Sequence, residues 1–196
     1  MQPIHTRLIY ACMGLIPLLA HAEITDMPKP DDFKIGDAWQ WRQVDDRTKL
    51  EERILNRVVI EKDHTLLFKD ENTEHSIATY FIGSNAAMPW RLWPLEVGKK
   101  WTYDENWTRT DGVSGNTHQQ VEVVSYEKIN LSIGTFSTFK IEYRGSYQNS
   151  RGSSGKQIDI YWYSPQLKQD IKHTRNDGYN MYTREMIHYK TTSSNQ

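Results

Sequence analysis

The histidines are the side chains most able to do acid–base or metal chemistry, and their spacing brings no two of them together. The chain has seven histidines. Metal ligands on one strand or one helix turn recur two or four residues apart. No two of the histidines after residue 22 have that spacing, so a metal site would need distant strands. The sequence therefore predicts no metal site and no cofactor. These later histidines are His64, His75, His118, His173 and His188.

Nucleophilic catalysis is not indicated either. The serines of residues 150–155 lie in a glycine-rich loop, without the strand–turn–helix that holds a nucleophilic serine. The only cysteine, Cys12, lies in an N-terminal apolar run. Glycine motifs for binding phosphates or dinucleotides are absent from the sequence. No nucleophile is therefore predicted.

Carboxylates occur as doublets, at residues 45–46, 51–52 and 104–105. Neighbouring residues on a strand face opposite sides, so a doublet cannot form the pair that a glycosidase holds across a cleft. We therefore predict that the protein is not an enzyme and has no catalytic residue. An unrecognised hydrolase is an alternative. It would need a cleft in which a carboxylate or histidine pair from different strands meets.

Aromatic residues are abundant, with seven tryptophans and eleven tyrosines. Trp90 and Trp93 flank Arg91 in a segment, residues 84–95, whose two prolines exclude a central strand. The two rings could stack on a sugar, clamp an apolar ligand, or plug the open end of a β-shell. Each of these roles places the segment at a mouth or an end of the fold.

Three further aromatic residues are candidates for ligand contact. Trp107 shares a strand face with other rings, and could line a cavity or fill it. Tyr161 and Tyr163 alternate with Trp162, so we expect them to face away from the core. The predicted ligand-binding residues are Trp90, Trp93, Trp107, Tyr161 and Tyr163.

The elements that must position these residues follow a period of two. In residues 138–144, Phe139, Ile141 and Tyr143 fall on one face, which is typical of a half-buried strand. Residues 157–163 repeat the pattern, with Ile158, Ile160 and Trp162 on the predicted core face. Residues 64–70 and 76–82 are predicted strands of the same kind. A short helix over residues 48–57 is the one helical alternative.

Turn residues separate these segments into roughly ten or eleven strands. Asp-Gly at 111–112 and Asn-Asp-Gly at 176–178 are strong hairpin signals, because these residues tolerate positive φ. Tight links are predicted at 62–64 and 128–130, and a longer hairpin loop at 149–155. The sequence therefore favours an antiparallel meander.

One motif occurs twice, as IGDAWQW at residues 35–41 and VGKKWTY at residues 97–103. The alignment pairs Gly36 with Gly98 and Trp39 with Trp101. After a shift of three residues it pairs Val58-Val59 with Val123-Val124. A copy of about fifty residues is too small to bury a core alone. We therefore predict a pseudo-repeat, residues 33–82 and 95–190, inside one sheet, with Trp39 and Trp101 as core anchors.

The first 22 residues have the pattern of a secretory signal peptide. Arg7 precedes the apolar run of residues 8–20, and Ala20-His21-Ala22 is a small-x-small cleavage site. Cleavage after Ala22 would remove Cys12 and leave no membrane span. Residues 23–32 are predicted to be a flexible lead-in, and residues 191–196 a disordered tail. The domain between them is residues 33–190.

Charge excludes one class of partner. The chain has 24 basic and 25 acidic residues. Without Arg7 the balance is 23 against 25, or about −2. Nothing in this balance indicates nucleic acid. A chain without cysteine that is exported fits a bacterial envelope protein, periplasmic or secreted.

The second half resembles the TapB-like group of uncharacterised secreted proteins. The resemblance rests on WPLEVGKKWTY (93–103), GTFSTFKIEY (134–143) and YWYSPQLKQDIK (161–172). It covers about residues 93–175. It implies an antiparallel β-structure, similar to the incomplete barrels of periplasmic lipoprotein carriers. It implies no catalytic residue.

Together these observations predict an all-β, mainly antiparallel fold, as one curved sheet or open β-barrel with an internal pseudo-repeat. The mouth of such a fold is a usual site for an apolar ligand. We predict a non-enzymatic binding module for an apolar small molecule or an envelope protein. A glycan-binding module that uses the exposed aromatic residues is the alternative.

Overall fold

The computed structural model describes residues 23–83 and 85–192. The predictions of a leader, of its cleavage after Ala22 and of the loss of Cys12 lie outside these ranges, as do the last four residues of the predicted tail. In the described ranges, no helix has the length and apolar character needed to cross a membrane.

The described residues form twelve strands and two helical turns. The helical turns are a 3-10 turn (Pro30–Asp32) and the one-turn helix α1 (Ile77–Tyr80). The strands are β1 (Ile24–Thr25), β2 (Ala38–Asp45), β3 (Glu51–Lys62), β4 (Thr65–Lys69), β5 (Glu74–Ser76), β6 (Leu95–Glu96), β7 (Lys100–Thr108), β8 (Ser114–Leu131), β9 (Gly134–Asn149), β10 (Ser154–Ser164), β11 (Gln169–Asn176) and β12 (Met181–Lys190).

Ten of these strands make one open antiparallel sheet, in the order β5-β4-β3-β2-β12-β11-β10-β9-β8-β7. The chain begins in the middle of the sheet at β2 and meanders to the edge strand β5. It then crosses to the opposite edge, β7, and meanders back to β12 beside β2. Strands β1 and β6 form a separate pair. The predicted all-β antiparallel class and single open sheet are confirmed.

The two copies of the sequence motif have the same local geometry. Gly36 and Gly98 have φ values of 87° and 89°. The amide of Gly36 donates to the carbonyl of Val59 (2.9 Å), and that of Gly98 to the carbonyl of Val123 (2.8 Å). Val59 is therefore equivalent to Val123, one residue away from the alignment made on the sequence.

Aromatic and branched apolar side chains fill the core, which lies against one face of the sheet. We call the face that bears Tyr143, Tyr161 and Tyr163 the inner face. Trp39 and Trp101 are buried in this core, as predicted. Phe139, Ile141 and Tyr143 are each no more than 1% exposed, which confirms the predicted face of β9.

Three local predictions need correction. Residues 76–82 do not form a strand, because β5 ends at Ser76 and α1 follows. The link at 128–130 is wrong, because β8 continues to Leu131 and the turn comes after it. The helical alternative for 48–57 is wrong, since β3 begins at Glu51. The hairpins at 62–64, 111–112, 149–155 and 176–178 are confirmed.

The predicted core face of β10 is also wrong. Tyr163 is 1% exposed and Tyr161 packs against the core, while Trp162 lies on the other face between Lys140 and Lys172. The indole of Trp162 donates to Glu127 (2.9 Å). Hydrophobicity identified the period of this strand but not its buried face, because the buried face carries polar residues as well.

Candidate functional site

The segment between α1 and β7 lies across the inner face, because it joins opposite edges of the sheet. We call residues 81–83 and 85–99 the crossing segment. Tyr143 on β9 donates its hydroxyl to the carbonyl of Trp90. The ring of Trp93 packs edge-on against Tyr163 on β10, with centroids 5.3 Å apart. The crossing segment is thus held over the central strands.

Arg91 anchors this segment. Its side chain is 1% exposed, and its Nη2 lies 3.0 Å from Oδ1 and 3.2 Å from Oδ2 of Asp170 on β11. Its guanidinium lies over the rings of Trp90 (4.2 Å) and Tyr163 (5.2 Å). Burial alone would lower the pKa of Arg91, but the charge and hydrogen bonds of Asp170, together with Tyr143 and Tyr163, outweigh burial and raise that pKa. Arg91 is therefore a buried, charged anchor.

Two cavities lie on the inner face, one on each side of the crossing segment. The first has a volume of about 810 Å³, and the second about 550 Å³. Both are lined by Tyr80, Trp90, Tyr161 and Arg175. Trp90 packs edge-on against Tyr161, with centroids 5.7 Å apart and planes at 87°. The two rings form the partition between the cavities.

The first cavity combines aromatic rings with polar groups. Its floor is the inner face of β8 to β11, and its rim includes the turns after β7, β9 and β11. Its rings include Tyr103, Trp107, Tyr143 and Tyr147. Polar side chains of the floor and rim are Thr117, Gln119, Gln157 and Asp159, with Glu105 beside Tyr103. A cavity of this size is in the range of small-molecule sites.

The five candidate residues from the sequence are placed in two groups. Trp90, Trp107 and Tyr161 line the first cavity. Trp93 and Tyr163 line neither cavity, and the indole of Trp93 donates to the carbonyl of Phe81 (2.9 Å). Trp93 thus packs the crossing segment against the core, while Trp90 also lines open space.

Two cavity rings lie where glycines leave room for them. A Cβ at Gly115 would come within 2.3 Å of the Trp107 ring, and one at Gly155 within 3.0 Å of the Tyr147 ring. Trp107 also donates its indole N–H to Thr117 (3.1 Å). The missing side chains thus leave room for both rings over the neighbouring strand. This contact fixes the position of each ring in the cavity wall.

Asp159 is the centre of a buried polar network that the sequence did not reveal. Its Oδ2 accepts from the amides of Gln119 (3.1 Å) and Gln157 (2.8 Å). Its Oδ1 lies 3.0 Å from Nε2 of His173 and 3.9 Å from Nε of Arg175. Burial raises the pKa of Asp159, but His173 and the other donors outweigh burial, so the pKa is lowered. The carboxylate is therefore kept ionised.

His173 connects this network to the second cavity, which its ring lines. The ring stacks on Tyr161, with centroids 4.0 Å apart and planes at 10°. Burial lowers the pKa of His173 more than Asp159 raises it, so the ring is neutral at pH 7. A neutral ring that meets a carboxylate through Nε2 carries its proton there. Asp159 and His173 come from neighbouring strands and are hydrogen-bonded where the two cavities adjoin, with Asp159 lining the first cavity and His173 the second. They do not line one common cleft, and the hydrolase alternative stays a prediction.

The lowered pKa of His173 predicts a pH-dependent stability. Below its ordinary pKa of about 6.5 the unfolded chain binds a proton that the folded chain does not. The free energy of unfolding should therefore fall as the pH drops from 7 toward 5, by up to about 1.4 kcal/mol per pH unit. Urea unfolding at several pH values measures this. His173→Gln keeps a hydrogen-bond donor for Asp159 but does not titrate, so it should remove this pH dependence of the free energy of unfolding. An unchanged slope of that free energy against pH would contradict the prediction.

No group of three or more metal-ligating side chains occurs among residues 23–83 and 85–192. Asp159 and His173 form a pair, which is too few ligands for a zinc site. The network can hold a proton at a fixed position, present fixed charges and accept hydrogen bonds. The prediction of no metal and the prediction of no enzymatic activity both stay predictions.

No known family matches the sequence, and no curated protein matches it. Two solved structures are similar in backbone. The first is a "putative lipoprotein" from Parabacteroides distasonis, with a TM-score of 0.51, 10% identity, and coverage of 85% of this chain and 99% of that one. The second is a "putative exported protein with YmcC-like fold" from Bacteroides fragilis, with a TM-score of 0.45, 11% identity and coverage of 86% and 100%. At this identity, the first similarity concerns the fold alone.

Proposed function

We propose that the protein is an extracytoplasmic binding protein that holds a small amphipathic molecule in the first cavity. The observation that carries this proposal is a cavity of about 810 Å³ whose walls combine aromatic rings with fixed polar groups. Rings supply apolar contact area, and a few placed polar groups supply orientation, which is the usual composition of a small-molecule site.

The polar groups argue for an amphipathic molecule rather than a hydrocarbon. Asp159 is 2% exposed and ionised, and Arg175 lies beside it on the cavity wall. A hydrocarbon would leave the remaining hydrogen-bonding capacity of these groups unused and away from water, which is unfavourable. A molecule that carries hydroxyl or amide groups beside an apolar face suits both kinds of wall.

An extracytoplasmic location rests on the leader-like residues 1–22 and on the structural neighbours, which are described as a lipoprotein and as an exported protein. The resemblance of residues 93–175 to the TapB-like group agrees with the same location. Membership of that group stays a proposal.

Native mass spectrometry of protein purified gently from its own envelope tests the proposal. We expect a defined extra mass that disappears on mild denaturation. Trp107→Ala should lose that mass, because it removes a wall of the first cavity. Trp162→Ala is the matched control, since this ring lies on the opposite face, and it should keep the mass. If the wild-type protein purified from the envelope carries no added mass, the result contradicts the proposal and favours a protein partner.

A glycan is the second candidate for the bound molecule, and a specific observation favours it. Trp107 and Tyr147 rest on Gly115 and Gly155, which leaves each ring fixed for stacking on a sugar face. We expect envelope oligosaccharides to change the tryptophan fluorescence of the wild-type protein, and Gly115→Ala to abolish the change by displacing Trp107. Unchanged fluorescence across a panel of such glycans would count against this candidate.

A further inference from the structure

The second cavity contains three guanidinium groups, and only two of them have carboxylate partners. Arg57 forms two hydrogen bonds with Asp70, at 2.8 and 2.9 Å. Arg175 donates to Asp177 at 3.1 Å. Arg184 has no carboxylate oxygen within 4 Å in the described part of the chain. The cavity thus has one cation whose charge is not neutralised by a direct partner.

Hydrogen bonds to a neutral group hold Arg184 in place. Its Nε and Nη2 donate to Oε1 of Gln43, at 3.2 and 2.8 Å. The strand register places Arg184 on β12 directly opposite His173 on β11. Gln43 therefore fixes one edge of the guanidinium without supplying a charge.

The acidic residues around this cavity do not compensate Arg184. Asp70 is paired with Arg57, and Asp170 with Arg91. Glu71 is exposed at the rim. The wall near Arg184 includes the neutral ring of His173 and the ring of Tyr182, over which the guanidinium lies at 5.5 Å. Gln43 also accepts from Nη2 of Arg53 (3.4 Å) and donates to Glu52 (2.6 Å), so one further charge of each sign lies on the other side of Gln43.

A buried donor without an acceptor also lines this cavity. Gln169 is 2% exposed, and its Oε1 accepts from Nη1 of Arg57 at 3.0 Å. That contact orients the amide, and its Nε2 has no hydrogen-bond partner. Buried donors without acceptors are rare in folded proteins, and a bound group can account for them.

We propose that the second cavity is a separate site for an anionic oxygen group, a carboxylate or a phosphate, held by Arg184. A guanidinium fixed on one side by a neutral acceptor presents its other N–H groups to an anion, and Arg–carboxylate and Arg–phosphate contacts are strong for this geometry. Arg184 and Gln169 line the second cavity and not the first, although the two cavities share Tyr80, Trp90, Tyr161 and Arg175.

The experiment uses inorganic phosphate and acetate as probes, in NMR titrations that follow the ring signals of His173 at constant ionic strength in sodium chloride. We expect one or both anions to shift the His173 signals saturably and to raise the measured pKa of His173, because the anion offsets the charge of Arg184. The stronger response identifies the source, phosphate or carboxylate. No saturable shift with either anion would overturn the proposal.

Arg184→Gln should weaken the binding of the responding anion at least tenfold and leave the His173 pKa insensitive to it. Arg184→Lys keeps the charge and should retain part of the response, which keeps the test valid if the glutamine variant folds poorly. Arg109→Gln, a change at the rim of the first cavity, is the matched control and should respond like the wild type. Equal binding by Arg184→Gln and wild type would overturn the proposal, while loss of a first-cavity ligand would leave it standing.

Discussion

Replacing Arg91 with alanine should lower the free energy of unfolding by about 3–5 kcal/mol, the usual cost of removing one partner of a buried ion pair. The change leaves the carboxylate of Asp170 beside the core without its cation. It also removes the cation–π contacts with Trp90 and Tyr163 that hold the crossing segment on the inner face. Urea unfolding followed by tryptophan fluorescence measures the loss.

The control for this prediction is Arg109→Ala. Arg109 is also ion-paired, at 3.3 Å from Asp111, but its side chain is 65% exposed. An exposed pair contributes little, so this variant should lose less than about 1 kcal/mol. If the Arg91 variant lost no more than the Arg109 variant, the crossing segment would not depend on the buried pair.

A methyl group at Gly145 should have a comparably large effect. In β9, Gly145 is paired with Gln119 on β8 and with Gln157 on β10. A Cβ there would come within 1.9 Å of the carbonyl oxygen of His118 and 2.7 Å of the Cα of Gln119. These are backbone atoms of a paired strand, so they cannot move without a shift of β8. Gly145→Ala should therefore cost about 3 kcal/mol or more, at or above the usual upper range for overpacking.

The same variant should also disturb the first cavity, because Gln119 and Gln157 both donate to Asp159. Thermal unfolding measures the stability, and the His173 ring signals report on the network. Gly152→Ala is the control: its Cβ meets nothing within 4 Å, but its φ is 79°, so it should cost only about 1 kcal/mol. Equal losses in the two variants would show that the contact between β8 and β9 can relax.

The sequence predicted the fold well where one physical signal dominated. Alternation placed Phe139, Ile141 and Tyr143 in the core, and Gly, Asn and Asp marked most of the hairpins correctly. The errors came where signals competed. Residues 76–82 have a strand-like pattern, but they turn at the edge of the sheet where no partner strand continues. Residues 128–130 carry turn-like residues inside the longest strand, where pairing with β9 overrides them.

The geometry of the network around Asp159 could not be predicted from the sequence. Its residues lie on three strands, and the pairing of β10 with β11 shifts at a bulge between Trp162 and Tyr163. A register counted from the turn after Ser164 would therefore be one residue out at His173. The one available signal was the polar alternation of Gln157 and Asp159 opposite an apolar face, and hydrophobicity assigned that face to solvent.

The pairing of β2 with β12 has a consequence for how the chain reaches this state. Ala38 pairs with Lys190, and Asp45 with Tyr182, so the earliest and latest strands of the large sheet meet at its centre. Such distant pairing makes folding slow, because a long loop must close before the contact forms. Until β12 arrives, β2 exposes an edge that invites pairing with other chains. During synthesis, which starts at the N-terminus, β2–β5 and β7–β11 therefore remain two separate groups of strands until β12 is available. Any factor that shields the edge of β2 during that interval would affect the yield of folded protein.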